Sequence, residues 1–441
     1  MSLPPVSHAA VLRIAVPIML SNVTEPLIGV VNTAVVGQLP QAALIGGVAV
    51  GGMIFAFLFW GFGFLRLSTS GLSAQATGAS DHAALGLIVG RSLIIGIVVG
   101  LSLLLLSPWL GPLAIGLMGG STDVQAAAQS YFNWRIFSAP AALANFALLG
   151  WFVGQSRAKT AFVVQVVLNL TNMFMSILLV LYFNRSIAGV GCAALAAEYV
   201  GLGFGLLLAT LRFRQLGQAI NWARLLDATA FRRLIATNAD IMVRTLCLLF
   251  AFAWFISRGA RAGDTVVAAN ALLMNFFEVA AYSLDGFAYA AEAMVGQSIG
   301  AKDQPRYVKS IRLSSQWAIG YGALASVIIW LAGPALIDLM TINPEVRETA
   351  RQYLWLASIT PLLGAACFLY DGIFTGALAT RDMRNMMVVS LAIYLAASFL
   401  LGSAFGNTGQ WLALNIFLAA RSLTFASRLP SIKARVFAHT A

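Results

Sequence analysis

The chain has 441 residues, of which 60% are hydrophobic and 10% charged, with a mean hydropathy of +0.85. A soluble globular enzyme carries about 25% charged residues, so this composition belongs in a bilayer, and at about 20 apolar residues per span it allows on the order of twelve spans and no large soluble domain. The net charge of +11 and pI near 10 arise from Lys and Arg in short gaps between apolar runs, which points to membrane orientation and excludes nucleic acid as a partner.

Apolar runs between polar breaks predict helices near 9–37, 43–72, 84–107, 128–152, 160–182, 188–211, 232–257, 265–297, 308–330, 346–376, 385–404 and 408–427. The first run lacks a small-residue cleavage site and is expected to be the first helix, not a removable signal peptide. Twelve spans put both termini on one side. Alternate gaps plus termini hold nineteen Lys and Arg on one side, Arg421 among them, against five on the other, with Arg66, Arg135 and Arg244 inside spans. That bias places the termini in the cytoplasm. Cys192, Cys247 and Cys367 are far apart with no CxxC spacing and read as core hydrophobes. His8, His82 and His439 fall at the termini and in a loop, which leaves no histidine in the membrane for a metal or proton relay.

The longest basic gap, 212–231, spaces Leu, Ile and Trp among Arg and Gln as an interfacial segment does. It divides the chain into an N-terminal six-helix lobe (1–211), a cytoplasmic linker (212–231) and a C-terminal six-helix lobe with a basic tail (232–441). An offset of 222 residues superposes Gln75 on Gln297, Gly78 on Gly300, Ala79 on Ala301, Asp81 on Asp303, Tyr131 on Tyr353, Phe146 on Phe368, Gly150 on Gly372 and Gly154 on Gly376. Each copy has an even number of spans, so the copies run parallel about an axis along the membrane normal. The expected fold is thus an all-α integral membrane protein of twelve helices in two parallel six-helix lobes, an arrangement suited to alternating access, with Gly150/Gly154 and Gly372/Gly376 as close-contact GxxxG faces.

Ionisable groups in hydrocarbon are costly and therefore functional candidates. Glu25 lies near the middle of the first span and Glu198 near the middle of the sixth, and Asn32 is two turns from Glu25 on about the same face. Pro26 removes one helical hydrogen bond and frees the carbonyl of Asn22, so that a carboxylate, a carbonyl and an amide share one face, suited to a proton or small cation. The alternative is that Glu25 and Glu198 are protonated acids making interhelical hydrogen bonds. Glu278, Asp285 and Glu292 at seven-residue spacing draw an acidic stripe down the eighth span, extended by Asn275 and Gln297. Asp240 and Arg244 stand at i and i+4 and are expected to pair as a structural salt bridge near the cytoplasmic side, and Asp371 lies in the tenth span. A cavity or gate is implied. Arg66 and Arg135 read as snorkelling or pairing residues.

The stretches PIMLSNVTEPLIGVVNTAVVGQL, NADIMVRTL, SLDGFAYAAEAMVGQSIGAKD and DGIFTGALATRDMRN resemble the multidrug and toxic compound extrusion (MATE) transporters, in the branch named for DNA-damage-inducible protein F (DinF), over nearly the whole chain. The resemblance implies two six-helix lobes rocking between outward-open and inward-open states, exporting cationic or amphipathic compounds against inward proton or sodium flow, with an acid on the first helix carrying the ion. Here the sequence departs from the family: the residue before TAVVG is ordinarily aspartate and is Asn32 in this chain. An amide has no protonation equilibrium near neutral pH. Either the carrier has moved to Glu25, or the second lobe couples through Asp371 or the eighth-span acids, or the chain is altered in coupling; the shared helix face favours Glu25.

No GxxxxGK[ST] phosphate loop occurs, so an ion gradient is the expected energy source, with H+ or Na+ as coupling ion and no cofactor. The leading expectation is a monomeric secondary multidrug antiporter in the cytoplasmic (inner) membrane, with small cationic or amphipathic molecules and membrane lipids as partners. An exporter or flippase for a lipid-linked or organic-anion metabolite would need a cationic cavity, against seven acids and three arginines counted inside the spans. An integral-membrane enzyme would need a clustered nucleophile and base, and none is visible.

Overall fold

The computed structural model describes residues 3–217 and 222–438, without the side chains of Val23, Glu25, Ala42, Trp222 and Ala223; His439 and residues 218–221 of the expected linker lie outside the described residues. The described residues form helices joined by short turns: α1 (His8–Val36), α2 (Ala42–Gly61), α3 (Phe64–Gly78), α4 (His82–Met118), α5 (Thr122–Arg135), α6 (Ala139–Gly154), α7 (Ala158–Ile177), α8 (Ser186–Leu216), α9 (Trp222–Leu225), α10 (Ala228–Arg261), α11 (Asp264–Gly300), α12 (Gln304–Met340), α13 (Pro344–Gly376) and α14 (Thr380–Phe437). Among the described residues, eleven helical stretches are long and apolar enough to cross a membrane, α2 with α3 and α5 with α6 each counting as one. The last, α14, has 58 residues and a non-helical backbone at Gly406 (φ 58°, ψ −131°). At 1.5 Å per residue, it is about three times the thickness of a hydrocarbon core, so the break at Gly406 makes it two spans and the total twelve.

The expected spans differ from the observed helices at their breaks. The second span turns at Phe62–Gly63, the fourth passes through a 3-10 turn at Ile136–Ser138, and the gap expected at 405–407 is only the Gly406 break. That break is held from the side. Asn270 and Asn407 exchange amide hydrogen bonds (2.8 and 3.0 Å), Trp411 Nε1 donates to Asn270 Oδ1 (2.8 Å), and Ser398 Oγ donates to Gln410 Oε1 (2.6 Å).

The 222-residue offset holds in the backbone of each half. Asp81 caps α4 by accepting from Ala84 N, and Asp303 caps α12 by accepting from Arg306 N, both at 2.9 Å. Ser121 caps α5 and Asn343 caps α13. The left-handed residues Ser80 (φ 56°) and Ser156 (φ 58°) recur as Lys302 (φ 55°) and Leu378 (φ 53°). Within the first copy, a methyl group on Gly150 would overlap the carbonyl of Arg66, and one on Gly154 that of Ser70. Within the second, Gly372 meets the carbonyl of Ala288 and Gly376 that of Glu292, each contact shifted by the same 222 positions. Small residues at these points let α6 pack on α3, and α13 on α11, at backbone contact.

The chain forms two compact units, one of Leu20–Thr77 and Asp81–Leu234, the other of Met1–Met19, Gly78–Ser80 and Ile235–Ala441. The start of α1 thus belongs with the second half, where Gly286 on α11 makes room for Met19 and the Ala15 carbonyl, and Trp317 Nε1 donates to His8 Nδ1 (3.1 Å). The second unit is cored by Phe255, Leu273, Tyr394, Trp411, Leu414 and Phe417; in the first, Phe55 packs on Tyr131 and Phe132.

Candidate functional site

In the unit built on Leu20–Thr77 and Asp81–Leu234, α7 presents Gln165, Asn169, Asn172 and Ser176, spaced four, three and four residues apart, so that they form one stripe. Gln165 Nε2 donates to Asn169 Oδ1 (3.0 Å), and Asn169 Nδ2 donates to Thr24 Oγ1 (2.6 Å), which itself donates to the carbonyl of Ser21 (2.7 Å). Ser176 Oγ donates to Asn32 Oδ1 (2.7 Å), and both residues are buried. Asn32 therefore sits where the α7 stripe can read it, as a hydrogen-bond acceptor and not as a charge. Asn172 is buried, and its Oδ1 has no hydrogen-bond partner among the described residues. On α8, Glu198 Oε2 accepts from Asn145 Nδ2 at 2.8 Å, and the same amide reaches the Glu198 carbonyl (2.9 Å).

The second unit is built from charges. Asp371 on α13 accepts at one oxygen, Oδ2, from both Arg244 on α10 and Arg421 Nη2 on α14, the latter at 2.9 Å. Arg421 is fully buried, and its guanidinium lies over Phe417 and Phe368, with ring centroids at 5.5 and 5.8 Å. Asp371 Oδ1 and Arg421 Nε and Nη1 have no hydrogen-bond partner among the described residues. Asp240 accepts instead from Arg384 Nη1 (2.6 Å) and Thr380 Oγ1 (3.1 Å).

These contacts correct two expectations. Asp240 and Arg244 take charged partners on other helices, Arg384 on α14 and Asp371 on α13. Arg421 is a core residue and not one of the basic residues at a membrane face, which raises the arginines inside the bundle above the three counted from sequence. The stripe on α11 runs from exposed Asn275 and Glu278 through half-buried Asp285 to fully buried Glu292 and buried Gln297. Pro26 is exposed within an unbroken α1, and Asn22 is half-buried. The side chain of Glu25 lies outside the described residues. Sequence reasoning missed Gln165, Asn169, Asn172 and Ser176, although their helical spacing was there to be seen, and it missed Asn145, Arg384 and Arg421, for which no spacing gave a signal.

The duplicated helical arrangement has counterparts among known proteins. The MatE family pattern matches residues 17–178 and again 241–402, once in each half. DNA damage-inducible protein F of Escherichia coli (strain K12) is 38% identical over 421 residues, spanning 96% of this chain and 92% of its own. A probable multidrug resistance protein NorM of Acinetobacter baylyi is 25% identical over 436 residues, 94% of this chain and 93% of its own. The solved structure of the Vibrio cholerae MATE transporter VcmN in its bent form shares the fold with a TM-score of 0.86 at 19% identity, covering 98% of each chain. The family and its solved neighbours are transporters, not enzymes, and this chain, a membrane protein whose described residues make twelve spans, belongs to the MatE family.

Proposed function

We propose that the protein is a secondary active exporter of amphipathic, predominantly cationic compounds, working by alternating access in the cytoplasmic membrane with both termini inside and coupled to inward H+ or Na+. The observation that carries this reading is the first-lobe network: Asn32 is fixed as a neutral acceptor by Ser176, which leaves Glu25 and Glu198 as the carboxylic acids that the sequence places inside this lobe's spans. Glu198 is held by the neutral amide of Asn145, which hydrogen-bonds the carboxyl without carrying a charge of its own. An acid in such a place gains or loses a proton with a change in local charge, and a change of that kind biases one conformation over another.

The test is substrate efflux from proteoliposomes with pH and sodium gradients imposed separately. Glu25→Gln is expected to abolish gradient-driven efflux while substrate binding stays measurable, and Glu198→Gln to weaken it. Asn32→Asp is expected to retain or increase coupling and to shift its pH optimum. Full efflux by both glutamine variants would remove the coupling site from this lobe.

A second reading, export of an organic-anion or lipid-linked compound, is favoured by one observation, the two arginines gathered on the single carboxylate of Asp371. Anionic and cationic dyes of matched size separate the two readings: the cationic reading requires Asp285→Asn to impair the cationic dye more than the anionic one.

A further inference from the structure

In the unit that contains Ile235–Ala441, Arg421 stands where packing alone does not call for an arginine. Its side chain is fully buried on the half of α14 that follows the Gly406 break, against the rings of Phe417 and Phe368. Phe368 in turn packs on an apolar cluster of Phe277, Cys367 and Leu418. Of the three guanidinium nitrogens, Nη2 donates to Asp371 Oδ2 at 2.9 Å, whereas Nε and Nη1 have no hydrogen-bond partner among the described residues. The carboxylate is shared with Arg244, so these three groups together carry one positive charge. A water molecule would satisfy a nitrogen without cancelling that charge, and a charge in a low-dielectric interior is costly until a counter-charge reaches it.

The first copy of the repeat does without this cluster. The 222-residue offset holds along α14, where Gly406 (φ 58°) falls on Asn184 (φ 53°), and it carries Arg421 to Tyr199, Asp371 to Leu149 and Arg244 to Asn22. All three counterparts are uncharged. Replacing a buried ionic cluster with apolar residues is often neutral or stabilising, so the fold itself does not account for a buried arginine with two unmet donors.

We propose that Arg421 holds a small monovalent anion, with chloride as the expected ion, and that Arg244 supplies the second positive charge beside Asp371. One negative charge neutralises the three groups, and Nε or Nη1 of Arg421 gives the charge-assisted hydrogen bond that fixes the ion. Its size follows from the surroundings. Arg421 has no exposure and is flanked by aromatic and aliphatic side chains, which favours an ion that sheds its water at low cost over sulfate, phosphate or a bulky organic acid. Such an ion is a fixed part of this unit and not cargo, whatever charge the exported compound carries.

The full chain, purified in detergent, is melted at constant ionic strength while chloride replaces gluconate up to about 300 mM. For a site half-filled at about 10 mM, binding to the folded state shifts the folding equilibrium by about thirty-fold and raises the melting temperature by a few degrees. Bromide and nitrate should act as chloride does, and sulfate should not. Arg421→Met, which leaves Arg244 and Asp371 as a neutral pair, is expected to remove the chloride dependence. Asp371→Asn is expected to enlarge it, with chloride recovering part of the stability that this substitution loses. Should Arg421→Met fail to fold, Arg244→Gln also leaves one arginine to one carboxylate and should reduce the dependence several-fold. Crystals soaked in bromide should show an anomalous diffraction peak within hydrogen-bond distance of Arg421 Nε or Nη1. A melting temperature indifferent to chloride overturns the site. An equal chloride response in the wild type and in whichever arginine variant folds also overturns it, because the anion then acts elsewhere, and bromide peaks confined to the protein surface do the same.

Discussion

Asp371 serves two arginines through one oxygen, and Arg421 has no exposure through which water could take its place. Removing the carboxylate would leave two guanidinium groups inside the bundle, and breaking a buried pair in this way costs about 3–5 kcal/mol. Asp371→Asn is therefore expected to lower the melting temperature of the detergent-purified protein sharply. Asp371→Asn combined with Arg421→Met should recover part of the loss, because one stranded charge goes with it. A wild-type melting temperature for Asp371→Asn would show that the cluster does not hold α10, α13 and α14 together. This cluster is half legible in the sequence. Hydropathy marks Asp371 and Arg244 as ionisable groups inside spans, but spacing along one helix suggests only i and i+4 partners, which is why Asp240 is the partner the sequence offers Arg244. The α7 stripe is the opposite case: Gln165, Asn169, Asn172 and Ser176 announce a polar face by periodicity alone, yet their uncharged side chains raise no alarm in a search for buried charge.

Helices in a bilayer gain little from hiding apolar surface from one another, since lipid is as apolar as leucine, and close van der Waals packing must hold them together. That places the burden of the α11–α13 and α3–α6 pairs on a few glycines whose missing Cβ atoms admit a carbonyl. An alanine at an open helical glycine gains up to about 1 kcal/mol from propensity. At Gly372 the same methyl group would overlap the Ala288 carbonyl, and because backbone cannot rotate away, the helices must separate. Gly372→Ala is expected to destabilise by about 1–3 kcal/mol, and Gly150→Ala, its counterpart on the Arg66 carbonyl, by a similar amount. Gly52→Ala, which would meet nothing within 4 Å, should be neutral or stabilising. Equal melting temperatures for all three variants would mean that the duplicated contact has no energetic role. The GxxxG spacing and the 222-residue offset make these contacts legible in the amino-acid sequence, because a close approach of helices demands small residues at fixed intervals. The breaks are unequally legible: hydropathy marks the one at Gly406 as the gap at 405–407, whereas the Phe62–Gly63 turn and the 3-10 turn at Ile136–Ser138 interrupt helices without a polar run, so hydropathy passes over them.

For the molecule as a whole, the distribution of charge along the chain supports the proposed orientation. Nineteen basic residues, less the core residue Arg421, leave eighteen on the side of the termini against five on the other. The correction does not alter the sign of the bias, because orientation responds to loop residues near span ends and Arg421 is not one. The linker adds a physical anchor on the same side. Arg91 on α4 donates to the carbonyls of Leu225 (3.1 Å) and Arg224, and the Leu225 side chain fills the space that a Cβ on Gly90 would occupy, so α9 is seated on the end of α4 while Leu226 is 70% exposed. On a background lacking Cys192, Cys247 and Cys367, Leu226→Cys should react with a membrane-impermeant maleimide only after the cytoplasmic face is opened. Gly120→Cys, in the turn between α4 and α5 at the other end of the span, should react in intact cells. Twelve spans with a parallel repeat require these two positions to be on opposite sides, since three spans, Thr122–Gly154, Ala158–Tyr182 and Ser186–Leu216, lie between them. Labelling of both from the same side would break the twelve-span topology, and reversal of the two patterns would keep the spans but place the termini outside.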